Sequence, residues 1–302
     1  MGGARGLRIG SMFSGYGGLD KAVENVFGAT PAWFCEWEEA PAKVLNHHWP
    51  EVPNHRDVTQ IDWQDVEPVD ILTAGYPCQP FSTAGHRKGT HDERHLWPHV
   101  HTAIRILRPR YVVLENVTGH LNLGFNTVLG DLAQIGFNAE WATIRAADVG
   151  APHHRDRLFI LAYPNSVGLQ AEQFTSGPTP QVTWDNNRER ALSWAGYATD
   201  LTNQLGARVA AWALIYGYPP PPTVEHVTYR EPELFGHRFP EVKHGINPEF
   251  VEWIMGLPQG WVTNPEIGLT RNQQLKMLGN GVCPPQAQAA LTALTARLRQ
   301  AG

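Results

Sequence analysis

Apolar and polar positions alternate in two rhythms along the first half of the chain. The short apolar runs Leu7–Phe13, Ala29–Cys35 and Tyr111–Leu114 read as strands, and Val69–Thr73 as a buried one. Leu19–Phe27 has helical spacing, and Leu158–Leu161 continues a later strand. Strands alternating with helices predict an open α/β sheet, in which chemistry collects beyond the carboxyl ends of the strands. After Tyr163-Pro164-Asn165 the rhythm gives way to mixed polar and aromatic stretches, until about Thr263. Within them Pro219–Pro222 predicts a stiff surface connector. A helix is predicted from Pro248 with Gly256 stopping it, and Phe250, Trp253, Ile254 and Leu257 form its packing stripe. A last helix, rich in Ala, Leu and Gln, runs from Pro284 or Pro285 to about Leu298 and is expected to return beside the first strand. The predicted organisation is a first domain over 1–165, a second over 166–265, and a segment 266–302 that completes the first.

Two of the strand ends carry reactive groups. The run Ala74-Gly75-Tyr76-Pro77-Cys78-Gln79-Pro80-Phe81-Ser82 offers a thiol directly after a strand, and Pro77 and Pro80 prevent a helix from running through it. Tyr111–Leu114 leads into Glu115-Asn116-Val117, which offers a carboxylate at a second strand end. Cys35 and Cys283 have no acid or base partner in sequence context and read as small buried hydrophobes.

The first strand ends in Ser14-Gly15-Tyr16-Gly17-Gly18-Leu19-Asp20, where Gly15, Gly17 and Gly18 allow a tight turn and let a ligand lie against backbone. The spacing is neither that of a dinucleotide fingerprint nor that of a Walker loop. Glu36 at the next strand end is placed to accept from a ribose diol, and Trp37 to pack on an adenine ring. Asp57 could accept from the adenine amine, with Val58 alongside. Each has a plainer alternative: a solvated carboxylate for Glu36, a core aromatic for Trp37, an N-cap for Asp57. Taken in order, they point to an adenosine compound without a pyrophosphate, such as S-adenosylmethionine. A thiol, a carboxylate and a methyl-sulfonium donor together suit methylation of a cytosine ring at carbon 5, which thiolate addition at carbon 6 activates.

Composition changes this picture little. The chain has 302 residues, 42% of them hydrophobic and 18% charged, which suits a globular protein large enough for two lobes. No apolar run approaches the roughly 18 residues of a membrane span. Three cysteines give neither a disulfide framework nor paired metal-ligand spacing, so a reducing intracellular compartment and no metal are expected. The pairs His47-His48 and His153-His154 suggest a metal only weakly, because neighbours in an extended chain point to opposite sides. The net charge of −5 means that any nucleic-acid contact must come from a local basic face.

With these residues assembled, the chain resembles the DNA cytosine-5 methyltransferase family. The resemblance rests on Phe13-Ser14-Gly15-Tyr16-Gly17-Gly18-Leu19, Gly75–Ser82, Glu115-Asn116-Val117, Arg155-Asp156-Arg157 and Leu278-Gly279-Asn280-Gly281-Val282, in the family's order. It implies a Rossmann-like S-adenosylmethionine-dependent methyltransferase fold with a mostly parallel sheet and a small target-recognition lobe. By this resemblance Phe13, Gly15, Gly17 and Leu19 form the cofactor turn, and Glu36 and Asp57 hold the ribose and the adenine amine. Pro80, Asn280 and Val282 join the cofactor site. Cys78 is the covalent nucleophile, Glu115 holds the cytosine edge, Asn116 braces the nucleophile loop, and Arg155 and Arg157 lie near the target base and its phosphates. S-adenosyl-L-homocysteine would be the product. Residues 82–97 would form a loop that closes over a flipped cytosine.

Two positions depart from the family pattern. His153 stands where Gln is usual, and Gly281 where Ser is usual; the second change removes a hydroxyl near the methionine end of the cofactor and leaves its compensation open. The resemblance further implies double-stranded DNA as partner and a monomeric cytoplasmic protein of a bacterial host, or one encoded by a phage. A cognate restriction endonuclease, where one exists, would form no stable complex with it. Arg188, Arg190, Arg230, Arg238, Lys243 and Lys276 are candidate DNA contacts, and Gln181, Asn186, Asn187, Asn203 and Gln204 candidate base readers. Two other readings are weighed: an RNA cytosine-5 methyltransferase of similar fold, and a catalytically silent DNA-binding module. The residues around Pro77-Cys78 argue against the first, and the presence of Cys78 and Glu115 against the second.

Overall fold

The computed structural model describes residues 6–77, 96–165, 203–229 and 241–301. Cys78, Gln79, Pro80 and the rest of the predicted loop up to His95 lie outside the described residues. So do Gln181, Asn186, Asn187, Arg188, Arg190, Arg230 and Arg238.

The described chain divides into two compact units. One comprises 1–149, 153–181 and 280–302, and the other 150–152 and 182–279. In this division residues 266–279 group with the second unit, and the chain rejoins the first at Asn280.

The first unit is built on a six-stranded sheet. Its strands are β1 (Arg8–Met12), β2 (Thr30–Cys35), β3 (Ile71–Ala74), β4 (Tyr111–Val117), β5 (Phe137–Arg145) and β6 (Asp156–Pro164), in the order β2-β1-β3-β4-β6-β5. The pairs among β1 to β4 are parallel, while β6 pairs antiparallel with both β4 and β5. The sheet is thus mostly parallel, as expected.

Helices cover both faces of the sheet, which is why its central strands are mostly apolar on both faces rather than alternating, with Ser11 of β1 and Thr73 of β3 as buried polar exceptions. Leu72, Val112, Leu114 and Ile160 face one core layer, shared with α3 (Trp97–Leu107) and α4 (Phe125–Gln134). Ile9, Ile71, Val113, Phe159 and Leu161 face the other, shared with α1 (Gly18–Phe27) and with the last helix, Pro284–Ala301. That last helix returns to the first unit, but it packs against α1 and over β5 and β6 rather than beside the first strand as expected: Gln286 donates to the Ile144 carbonyl and Arg297 to that of Trp141. His47 and His48 close a helix, α2 (Glu39–His48), instead of lying in an extended chain. No cluster with metal-ligand character occurs among the described residues. No helix among them is long and apolar enough to cross a membrane.

The second unit contains a helix over Asn203–Tyr216, an antiparallel strand pair (Val224–Tyr229 with Glu241–Ile246), and the predicted helix at Pro248–Ile254. Asn247 caps that last helix by accepting from the Glu249 amide at 3.0 Å, and Gly256 takes the left-handed conformation after it. Trp253 and Leu257 of the predicted stripe are fully buried, while Phe250 and Ile254 are half-buried. Buried Glu252 organises the following turn. It accepts from the amides of Gly260 (2.7 Å), Val262 (2.5 Å) and Thr263 (3.0 Å) and from the Thr263 hydroxyl (2.9 Å).

Candidate active site

Sheet register brings the candidate residues into one row. Met12 of β1 pairs with Cys35 of β2 and with Ala74 of β3, and Ala74 pairs with Leu114 of β4. The next residue on each strand is therefore Phe13, Glu36, Gly75 or Glu115. Strands spaced by about 4.8 Å place Glu36 and Glu115 roughly 14 Å apart along this edge. Chain order reverses between β1 and β3, so the row straddles the crevice where open α/β sheets bind ligands.

The turn after β1 is tightly shaped. Phe13, Gly15 and Gly17 all have positive φ, at 55°, 55° and 79°. A side chain is tolerated at Phe13, whereas a Cβ on Gly15 would point into open space beside the backbone, which leaves room for a ligand. Gly18 and Leu19 open α1, with Leu19 in the core. Glu36 is buried, and its two carboxylate oxygens accept from the amides of Gly15 and Glu38, each at 2.8 Å. Burial pushes this carboxyl up, and the two amides oppose the shift. Lone pairs remain for a diol. Trp37 is 68% exposed, so it is not a core aromatic, and its indole is free to serve as a platform. Asp57 accepts from the amide and hydroxyl of Thr59 at 2.9 and 2.8 Å, a local turn that caps no helix. Those bonds hold its carboxyl below the usual carboxylate range. Val58 is buried in the core layer. The donor set of the turn, Glu36 and Trp37 fits an adenosine ligand.

The other half of the row centres on β4. Glu115 forms a 2.9 Å ion pair with Arg157, and both side chains are largely buried. Burial pushes the Glu115 carboxyl up, while the guanidiniums of Arg157 and Arg155 pull the other way. Arg157 is itself lowered by burial. Asn116 donates from Nδ2 to the Tyr76 carbonyl at 3.1 Å, two residues before Cys78. Tyr76 is held at its far end as well, where its hydroxyl and His120 Nε2 lie 2.8 Å apart in the core. Burial lowers the His120 imidazole, favouring its neutral form. Arg155, at φ 39°, precedes β6 and donates to the carbonyls of Asn280 and Gly281. The Val282 carbonyl accepts from Tyr16 at 2.6 Å. Cys35 and Cys283 are buried thiols whose burial raises them, Cys283 to about 11, so neither is a nucleophile in this setting.

Sequence reading missed several residues that support the row. Asn54 accepts from the Glu36 amide (2.9 Å) and donates to its carbonyl (3.2 Å), fixing the second strand end. Gln286 donates to the carbonyls of Ile144 and Arg155, both at 2.6 Å. Nothing in the sequence distinguishes it from Gln288 and Gln300 of the same helix. Asp20, wholly buried, accepts from Ser11 (2.9 Å) and Thr73 (2.7 Å) and so ties β1 to β3 beneath the turn.

Burial pushes Asp20 from 3.8 to about 6. A carboxyl raised on folding keeps its proton in the folded state over that window. The contribution of Asp20 to stability therefore falls as pH rises from about 4 to about 6, and is level above. Asp20→Asn removes the charge and keeps both hydroxyl contacts with one of them reversed, the amide nitrogen donating to a hydroxyl oxygen. Its stability relative to the parent should improve by up to about 3 kcal/mol between about pH 4 and about pH 7. Urea midpoints across that range check this, and parallel pH profiles for the two proteins would refute it.

The profile of the C-5 cytosine-specific DNA methylases matches residues 7–206. The chain belongs to this family. Among its relatives, the Type II methyltransferase M.NgoBI of Neisseria gonorrhoeae is 32% identical over 294 residues, covering 92% of this chain and 90% of that protein. M.BsuFI of Bacillus subtilis is 31% identical over 188 residues, 57% of this chain, and the match spans only 44% of that longer relative. Among solved structures, the Dnmt2 methyltransferase of S. pombe superposes with a TM-score of 0.63 at 16% identity, covering 97% of this chain and 99% of that one. At that identity the likeness speaks for the methylase family's fold alone, a mostly parallel methyltransferase sheet.

Proposed function

We propose that this chain transfers a methyl group from S-adenosylmethionine to carbon 5 of a cytosine flipped out of duplex DNA, through a covalent adduct with Cys78. The observation that carries the reading is the single row Glu36, Phe13, Gly75, Glu115, with Asn116 gripping the Tyr76 carbonyl. The row offers an adenosine site and a carboxyl at opposite ends of one crevice, with the thiol-bearing segment leaving the strand between them.

S-adenosylmethionine supplies the electrophilic methyl when bound. The protein does the rest. The Phe13–Gly18 turn and Glu36 hold the adenosine moiety. Asn116 and the Tyr76–His120 contact fix where the chain leaves β3, at Tyr76, two residues before Cys78 in sequence. The Cys78 thiolate adds to carbon 6, and the ring becomes an enamine whose carbon 5 takes the methyl. Glu115, raised by burial, hydrogen-bonds ring nitrogen 3 and shares a proton there as the electrons shift. Arg157 fixes the orientation of that carboxyl. A base then removes the proton from carbon 5, and the thiolate leaves. A stacked base presents neither carbon to a thiol, so the cytosine must leave the helix first.

Incubation of duplex DNA, single-stranded DNA and transfer RNA with methyl-labelled S-adenosylmethionine tests the reading. Label is expected as 5-methylcytosine in duplex DNA. Label confined to transfer RNA, or none in any nucleic acid, would reject it. The same assay tests the assignment of target reading to residues 166–265: exchanging that segment for a relative's should redirect the methylated sequence and leave the product unchanged.

A further inference from the structure

Gly281 has no conformational need to be glycine, since its φ is not positive. What excludes a side chain there is space. A Cβ on Gly281 would overlap the Tyr16 ring, and a Cβ on Gly18 would overlap both that ring and the Val282 carbonyl. Tyr16 itself is fully buried, and its hydroxyl donates to the Val282 carbonyl at 2.6 Å. Arg155 holds the two preceding carbonyls, of Asn280 and Gly281. The segment 280–282 thus has little freedom of its own. Its position is set by a ring from the glycine turn on one side and a guanidinium from the start of β6 on the other.

We propose that Tyr16 is a positioning residue of the cofactor site: its ring fills the volume left by the missing side chain at 281, and its hydroxyl locks segment 280–282 to the Phe13–Gly18 turn as one wall. Tyr16 is therefore the compensation for Gly281, and the two positions form a pair in which a side chain at one requires a smaller one at the other. This rests on the reading of the turn as an S-adenosylmethionine site.

Calorimetric binding of S-adenosylmethionine, steady-state kinetics and melting temperature are measured on the parent and three variants. Gly281→Ser should weaken S-adenosylmethionine binding by about tenfold or more, because the ring and turn must shift. Tyr16→Ala/Gly281→Ser should bind better than Gly281→Ser alone, a gain that two independent defects would not show. Tyr16→Phe removes one oxygen and leaves a buried carbonyl short of a donor. It should raise KM for S-adenosylmethionine by about tenfold, well beyond any fall in kcat and with little change in KM for DNA. A purely structural role would lower the melting temperature and kcat and leave that KM alone. Should Gly281→Ser fail to fold, recovery of a folded, binding protein in the double variant supports the pairing, and failure of both overturns it. An unchanged cofactor KM in Tyr16→Phe, or a double variant no better than Gly281→Ser, overturns the proposal while the cofactor reading stands. A parent protein that does not bind S-adenosylmethionine overturns both.

Discussion

Cys78→Ser is expected to abolish methyl transfer while the melting temperature and S-adenosylmethionine binding stay near those of the parent. A neutral hydroxyl is a far weaker nucleophile than a thiolate at neutral pH, and without addition at carbon 6 the cytosine ring cannot attack a methyl group. The fold should not register the change. The segment up to Tyr76 is held by Asn116 and His120, and the cofactor turn is built on β1 and β2. Duplex DNA carrying 5-fluorocytosine gives a second readout. Fluorine cannot leave carbon 5 as a proton does, so the parent should be trapped in a complex that survives denaturation, and the serine variant should not. Robust methylation by the serine variant, or trapping of it, would remove Cys78 from the mechanism.

Glu115→Gln should slow the chemical step by roughly 10²–10⁴-fold, the usual scale of acid–base assistance. Glutamine preserves shape and a donor but carries no transferable proton. The variant also leaves Arg157 without its anionic partner in a largely buried site, which asks for a control. Single-turnover rates at saturating DNA isolate the chemistry, while DNA affinity and melting temperature report any disturbance around Arg157. Equal single-turnover rates for variant and parent would rule out a proton role for Glu115. A slowed rate that tracks lost folded protein would shift the role to structure.

The two effects differ in kind because the two groups sit differently. The thiol acts by forming a bond, so its loss is close to total. The carboxyl acts by biasing a proton, and its environment is a contest between burial, which raises it, and two guanidiniums, which lower it. Asn116, the next residue along β4, points to the opposite face and takes the Tyr76 carbonyl instead. One strand end therefore supplies both the proton-bearing group and the brace for the neighbouring chain.

Much of this was present in the sequence by itself. Mostly apolar runs bounded by turns identify β1 to β4, because strands covered on both faces place little polar surface in water. Glycines at 15 and 17 announced the turn, because positive φ is costly for most other residues. The order of Cys78, Glu115 and the arginines at 155 and 157 pointed to the chemistry, because those side chains are reactive wherever they stand. What sequence could not supply was register and space. The alignment of Glu36, Phe13, Gly75 and Glu115 follows from strand pairing between segments far apart in the chain, and no local pattern encodes it. The exposure of Trp37 and the burial of Val58, two candidates of similar promise in sequence, follow from packing that no local pattern encodes. Asp20 stands in the first turn of α1, and only packing brings Ser11 and Thr73, from two different strands, around it. Gly281 is the clearest case: its sequence context says only that a side chain is missing, and the reason is a tyrosine ring 265 residues earlier, brought there by packing alone.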